Sequence, residues 1–127
     1  MRKFYAMGVM AAAAVFTMVS VSPAQAVATN VQSPGNLAGG RYESSTDTLS
    51  MWDNSEIDND YVRLRVTNVT RSDPRVYTHD GSPSHNNRKN VPIPSTWQSG
   101  DKITLSVCSV ERYHGNASCS GTATAWV

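Results

Sequence analysis

Apolar and polar residues alternate along the segment 61–67. Val62, Leu64 and Val66 fall on one side of it, while a tyrosine, two arginines and a threonine fall on the other. A period of two sends alternate side chains to opposite faces of a sheet, and the polar side indicates that one face lies in water. We therefore predict a strand here, with the three apolar residues facing the core.

The same alternation recurs on either side of this strand. Leu49 and Met51 alternate before it, and Ile103, Leu105 and Val107 share one side of a later run. No window carries the 3.6-residue apolar repeat of an amphipathic helix at convincing length. Several short strands separated by turns predict an all-β fold, arranged as a small antiparallel β-sandwich or a barrel-like domain.

Residues 1–26 have the pattern of a secretory signal peptide. Arg2 and Lys3 precede an apolar stretch over 4–21, and Ser-Pro-Ala-Gln-Ala follows at 22–26. This order predicts cleavage between Ala26 and Val27 and a secreted, extracellular protein without a membrane anchor. A retained transmembrane helix, which needs about 20 apolar residues, fits poorly with the proline and glutamine near the end of the segment.

Residues 27–40 contain three glycines, a proline and no hydrophobic period of either kind. This composition predicts a flexible leader in front of a β-domain that spans 41–127. An extended leader of this kind can bind by adding as a strand to the sheet edge of a partner or by filling its cleft. Val27, Val31 and Leu37 are the candidate contact residues.

Removing the signal peptide from the 127 residues leaves 101, which is enough for one domain. Two of the 11 basic residues leave with it, so nine face ten acidic residues and the net charge becomes −1. The remaining arginines are scattered, so there is no electrostatic footprint for a phosphate backbone. Nucleic acid is not an expected partner.

Cys108 and Cys119 are the only cysteines in the chain. In a secreted protein an even number of cysteines indicates a disulfide, and this spacing lacks the Cys-x-x-Cys pattern of a redox pair. A structural bridge is therefore predicted. If Ile103, Leu105 and Val107 point inward, Cys108 points the other way, so either the bridge lies on the outer side or the sheet is covered on both faces.

The segment 52–60 carries four carboxylates, Asp53, Glu56, Asp58 and Asp60. A calcium loop of the EF-hand type needs oxygen ligands at alternate positions and a glycine at the sixth. Counted from Asp53, the fifth residue is isoleucine and the sixth is Asp58, so that template fails. A polar turn between two strands is the favoured interpretation, with a weak calcium site as the alternative and no metal site predicted.

The three histidines lie in polar segments and show no catalytic pattern. His79 and Asp80 could be combined with one of many serines into a triad, yet no Gly-x-Ser-x-Gly motif is present. Zinc binding by His79 and His85 would need further ligands at short spacing, and His114 lies far along the chain. We expect solvated loop histidines, no catalytic residues, no cofactor and no enzyme activity.

Trp52, Trp97 and Trp126 are the remaining candidates for recognition, because exposed indoles stack on sugars or anchor protein interfaces. Both phenylalanines leave with the signal peptide, so these rings are expected to supply bulk to a small core. Trp97 lies in the turn-rich segment Pro-Ser-Thr-Trp-Gln-Ser-Gly-Asp. Of the three, it is the one for which exposure is most expected.

The order of these features resembles a group of small secreted actinobacterial proteins. The likeness covers about the last eighty residues and rests on the segments DTLSMWDNSEIDNDYVRLRV and WQSGDKITLSVCSVERYHGNASCSG. Such proteins show an aspartate-rich turn, a valine-rich strand, the pattern G-x-x-(I/V)-x-(L/F)-x-V-C and a second cysteine before a small residue. Some similar proteins are thought to be adaptor subunits that join a lectin-like subunit to a carrier chain in secreted antibacterial toxin particles.

These features predict a secreted, non-enzymatic protein that binds another secreted or cell-surface protein, as an adaptor subunit of an extracellular complex. A carbohydrate-binding module is the alternative. A small extracellular hydrolase and a protease inhibitor are further hypotheses.

Overall fold

A computed structural model describes residues 27–54, 60–80 and 88–127 of the chain. These three ranges contain strands and one short 3-10 turn, Pro34–Asn36, and no α-helix. The strands are β1 (Ala28–Gln32), β2 (Ala38–Glu43), β3 (Thr48–Asp53), β4 (Asp60–Asn68), β5 (Asp73–His79), β6 (Arg88–Pro92), β7 (Lys102–Glu111), β8 (Ala117–Cys119) and β9 (Ala123–Trp126). The predicted all-β class is confirmed.

The strands form two antiparallel sheets. Sheet A has four strands in the order β1-β2-β3-β6. Sheet B has the order β5-β4-β7, and both β8 and β9 pair with β7 at its far edge. The two sheets face each other, with β1 of sheet A packing across the core against β7 and β9. This arrangement confirms a small antiparallel β-sandwich.

The core lies between the two sheets and is built from the alternating residues of both. Sheet B contributes the residues predicted to point inward, and sheet A contributes a tyrosine, a leucine and a methionine. All are fully buried: Val62, Leu64, Val66, Ile103, Leu105, Val107, Tyr42, Leu49 and Met51. The predicted strand phases are therefore confirmed for β3, β4 and β7.

The predicted flexible leader is wrong, because residues 27–40 contain β1 and the start of β2. Val31 faces Gly40 across the two strands and is only 7% exposed. Gly40 allows close packing: a Cβ there would lie 2.7 Å from Leu64 Cδ1 and 3.2 Å from Val31 Cγ2. Gly40 thus allows the two sheets to approach, and the β-domain begins well before Arg41.

The predicted disulfide joins Cys108 of β7 to Cys119 of β8, at positions that face each other in the sheet. Cys108 also faces Arg63 of β4, on the outer side of sheet B. It is nevertheless only 1% exposed, and residues 107–110 are buried without interruption. The bridge therefore lies on the outer side of sheet B, with Cys108 buried and Cys119 exposed.

The Asp101 carboxylate forms hydrogen bonds with several residues at one end of sheet B. Its Oδ2 accepts hydrogen bonds from Asn68 Nδ2 (2.8 Å), Arg71 Nε (2.5 Å) and the Gln98 backbone N–H (2.9 Å). The Arg71 guanidinium above all, and then the Gln98 N–H, lower the pKa of the Asp101 carboxyl to about 2. The Asp101 carbonyl also accepts a bond from the Val127 N–H (2.9 Å), which fixes the end of β9.

Candidate functional site

Trp97 is not the exposed indole that the sequence suggested. It is 6% exposed and belongs to the core, and its Nε1 donates to Asp73 Oδ2 at 2.8 Å. The Trp97 N–H donates to the Pro94 carbonyl at 3.0 Å, so a tight turn directs the ring inward although its sequence neighbours are polar. Bonds from Arg75 and then from Trp97 lower the pKa of Asp73. The expectation of an exposed Trp97 is wrong.

The structure does not bring Val27, Val31 and Leu37 together as one exposed surface. Val27 is exposed, Leu37 is half-buried and Val31 is buried in the core of the domain. Because Val31 is buried in the core of its own domain, this side chain is not available to a partner. The extended-leader mode of binding therefore loses its structural basis.

The described part of the acidic segment does not form a metal cluster. Asp53 and Asp60 are each 5% exposed, and Ser109 Oγ donates to Asp60 Oδ2 at 3.5 Å. Glu56 and Asp58 lie outside the described residues, as does His85. Within 27–54, 60–80 and 88–127, no three His, Cys, Asp or Glu side chains are placed to hold a metal ion. The preference for a polar turn over a calcium loop stays a prediction.

Trp126 is the indole that faces solvent. It is 58% exposed on the outer side of sheet B, where it pairs with Lys102. Lys102 in turn lies beside Val69, which is 47% exposed. The adjacent row across the sheet contains three threonines. We call these six residues the Trp126 surface: Thr67, Val69, Lys102, Thr104, Thr124 and Trp126.

The backbone around Trp126 is held on both sides. The Val127 N–H donates to the Asp101 carbonyl, and the Gly100 N–H donates to the Val127 carbonyl at 2.6 Å. The Lys102 N–H donates to Thr70 Oγ1 at 2.9 Å, which fixes the neighbouring strand. The exposed indole is therefore presented by ordered structure.

A second aromatic residue lies on the outer side of sheet A. Trp52 is half-buried, and its ring covers Gly39, where a Cβ would lie only 2.1 Å from Trp52 Cε2. The Arg88 guanidinium lies 4.3 Å from the ring centroid. Polar side chains occupy the strands around this stack, at Asn30, Gln32, Ser50 and Asn90.

A polar cavity of about 550 Å³ opens at the other end of sheet B. Lys89 and Arg112 bring cationic groups to it, and Asp80 brings a carboxylate that pairs with Arg112. The described residues that line it are Tyr61, Thr78, His79, Asp80, Lys89 and Arg112. His114, which is exposed, lies outside this lining.

Sequence reasoning missed the exposure of Trp126, because it placed this residue in the core. The signal was the alternation Ala123-Thr124-Ala125-Trp126, which is compatible with either side facing inward. The pairing of Ala125 with Ile103 settles the choice: Ala125 is 6% exposed and Trp126 points outward. That pairing follows from strand register, which the sequence does not reveal.

No family model, curated protein or solved structure matches this chain. The described residues include no helix with the length and hydropathy needed to cross a bilayer.

Proposed function

We propose that this chain is a secreted, non-enzymatic binding protein that recognises another protein through the Trp126 surface. The observation that carries the proposal is the rigid presentation of Trp126 to solvent, next to the exposed Val69. An exposed indole held by an ordered sheet is typical of the residues that anchor protein interfaces.

The geometry of the Trp126 surface fits a protein partner. Trp126 and Val69 are two strands apart, which is about 10 Å, so one partner surface can cover both. Tryptophan is enriched among the residues that dominate binding energy at protein interfaces. Lys102 lies between the two and is the only charged member of the six, which favours a partner with an apolar pocket and a nearby carboxylate.

Secretion is supported by the signal-peptide pattern of residues 1–26 and by the disulfide, which persists in oxidising environments. The resemblance to small secreted actinobacterial proteins favours an adaptor subunit of an extracellular particle. In that role the Trp126 surface would be the contact with one neighbouring subunit.

Photo-crosslinking in the culture medium of the producing organism identifies the partner. A photoreactive amino acid in place of Thr124, next to Trp126, should capture a secreted protein that the same probe in place of Tyr113 does not capture. Tyr113 is a suitable control, because it is 75% exposed and lies in the β7–β8 loop at the other end of sheet B.

The captured protein is then purified and titrated against variants. Trp126→Ala should weaken binding by about 2 kcal/mol or more, roughly 30-fold, as for a central interface residue. Tyr113→Ala should bind like the original protein, and both variants should retain its circular dichroism and melting temperature. Equal affinities for both variants would exclude the Trp126 surface as the binding site.

The second candidate function, carbohydrate binding, is favoured by the stack of Gly39, Trp52 and Arg88. Gly39 lies under one face of the indole and Arg88 covers the ring, so a sugar can stack on it only by displacing the Arg88 guanidinium, while neighbouring amide and hydroxyl groups bond the sugar hydroxyls. Ser50 Oγ already donates to Asn90 Oδ1 at 2.7 Å in this region. A glycan array with Trp52→Ala and Trp126→Ala tests it: glycan binding that only the first variant loses would favour this function over the protein-binding one.

A further inference from the structure

The polar cavity lies where the edges of the two sheets meet. Thr78 and Asp80 come from the end of β5 and the residue after it, and Lys89 comes from β6 of the opposite sheet. Tyr61 and Arg112 complete one wall, near the start of β4 and just after β7. Strands of both sheets therefore position Tyr61, Thr78 and Lys89, and Asp80 and Arg112 directly follow strands.

Lys89 links the two sheets across this cavity. Its Nζ donates to the Thr78 carbonyl at 3.0 Å. An ammonium group has three N–H donors. The bond to Thr78 uses one of them and fixes the position of the charge, and the other donors can bind an anion. The cation is thus held at the cavity wall by the backbone of β5.

Arg112 supplies a second cation on the other wall. Its guanidinium pairs with the Asp80 carboxylate and lies 6.0 Å from the centroid of the Tyr61 ring. The side chains of Arg112 and Asp80 are 43% and 65% exposed, and an ion pair exposed to this degree is readily exchanged for another. A guanidinium has five donors in a planar fork, so it can also bind a carboxylate or phosphate without leaving Asp80.

The charges of the described lining residues are unequal, with two permanent cations against one carboxylate. Lys89 and Arg112 can therefore both contact an anionic group of a ligand. The volume of about 550 Å³ lies within the range of small-molecule sites, roughly 300 to 1,000 Å³.

From this arrangement we propose that the cavity binds a small polyhydroxylated anion, with its carboxylate or phosphate held between Lys89 and Arg112. The Asp80 carboxylate and the Thr78 hydroxyl accept hydrogen bonds from the ligand hydroxyls, and the Tyr61 ring covers one side of the ligand. The binding step is a reversible association without covalent chemistry.

This site is independent of the proposed protein contact. The cavity and Trp126 lie near opposite ends of β7, a strand of ten residues and about 30 Å. Failure of one proposal therefore leaves the other untouched.

Isothermal titration calorimetry with four probes tests the proposal: D-glucuronate, D-glucose 6-phosphate, D-glucose and inorganic phosphate. Glucuronate, glucose 6-phosphate or both should bind saturably, with an affinity that falls as salt is raised, and glucose should bind at least about tenfold more weakly. A response to one anion alone identifies the ligand as a carboxylate or as a phosphate ester.

Two arginine variants locate the binding. Arg112→Gln should weaken binding of the sugar anion about tenfold or more, because it removes a charge-assisted hydrogen bond. Arg65→Gln is the matched control, because it removes an equal charge from an exposed position on β4 outside the cavity lining. The proposal is overturned if no sugar anion binds, if inorganic phosphate alone binds, or if both variants weaken binding equally.

Discussion

Gly39 lies directly beneath the indole of Trp52 on the outer side of sheet A. Both residues lie on paired strands, and Arg88 covers the ring from the next strand. In the sequence Gly39 is one of two adjacent glycines in a segment without periodicity, which suggests a mobile chain. The structural reason for this glycine becomes visible only once β2 and β3 are placed in register.

Gly39→Ala should destabilise the protein by about 1–3 kcal/mol, because the added methyl group would displace the Trp52 ring and its contact with Arg88. Chemical denaturation measures the change, and tryptophan fluorescence reports the movement of the ring. Gly121→Ala is the control, because a Cβ at Gly121 meets nothing within 4 Å. Equal stability of the two variants would contradict the close contact.

The Asp101 carboxylate makes stability depend on pH. Its pKa is about 2 in the folded protein and about 3.9 in an unfolded chain. A lowered folded pKa means that the ionised group stabilises the fold above about pH 4 and that this contribution is lost as the pH falls from about 4 to about 2. Asp101→Asn should therefore be less stable than the original protein at neutral pH.

The difference between the two proteins should shrink across that acidic interval. Denaturation curves recorded between neutral pH and pH 2 test this, with Asp80→Asn as a control that changes an exposed carboxylate. A difference between Asp101→Asn and the original protein that stays constant with pH would show that the charge of Asp101 is not responsible.

At the scale of the element, β1 gains its stability from the side chains that it buries. Val31→Ala should cost about 1–2 kcal/mol, because it leaves a gap against Gly40 and the opposite sheet. Val27→Ala, at a position 57% exposed, should stay within about 0.5 kcal/mol of the original protein. Urea denaturation distinguishes the two, and equal effects would favour the flexible leader over the strand.

The disulfide stabilises the hairpin of β7 and β8. Its cysteines are separated by 11 residues, and closing a loop of this size contributes about 3 kcal/mol. Reduction should lower the free energy of unfolding by about that amount. The double variant Cys108→Ala with Cys119→Ala should be similarly destabilised and should not respond to reductant. A stable reduced protein would contradict this contribution.

The elements that could be predicted from sequence are those whose alternation is strong. β4 and β7 each carry three apolar residues at a period of two, and their inward sides follow directly. β1 and β2 could not be predicted, because the sequence does not distinguish a glycine that allows two elements to pack closely from a glycine in a mobile segment. Whether Trp97 faces the core depends on a turn, and whether Trp126 does depends on strand register. The sequence reveals neither, so the Trp126 surface could be recognised only in the structure.

At the scale of the whole molecule, maturation should leave the entire sandwich intact. The predicted cleavage after Ala26 leaves one residue, Val27, in front of β1, and the Val27 N–H donates to Ser44 Oγ at 3.0 Å. Amino-terminal sequencing of the protein from culture medium should therefore begin at Val27. A mature protein that begins within 29–40 would have lost part of the first hairpin and would contradict this processing.

The packing of β1 against β7 and β9 also sets the order in which the molecule can fold. β1 is near the beginning of the chain, whereas Ala125, which helps to close the same core, comes more than ninety residues later. Contacts between residues so far apart in sequence slow folding, because a long loop must close before they form. A chain emerging from the ribosome cannot complete this core until residues 123–126 are free. The native sandwich therefore forms only after residues 123–126 have been released, and in the proposed secreted protein passage across a membrane can precede folding.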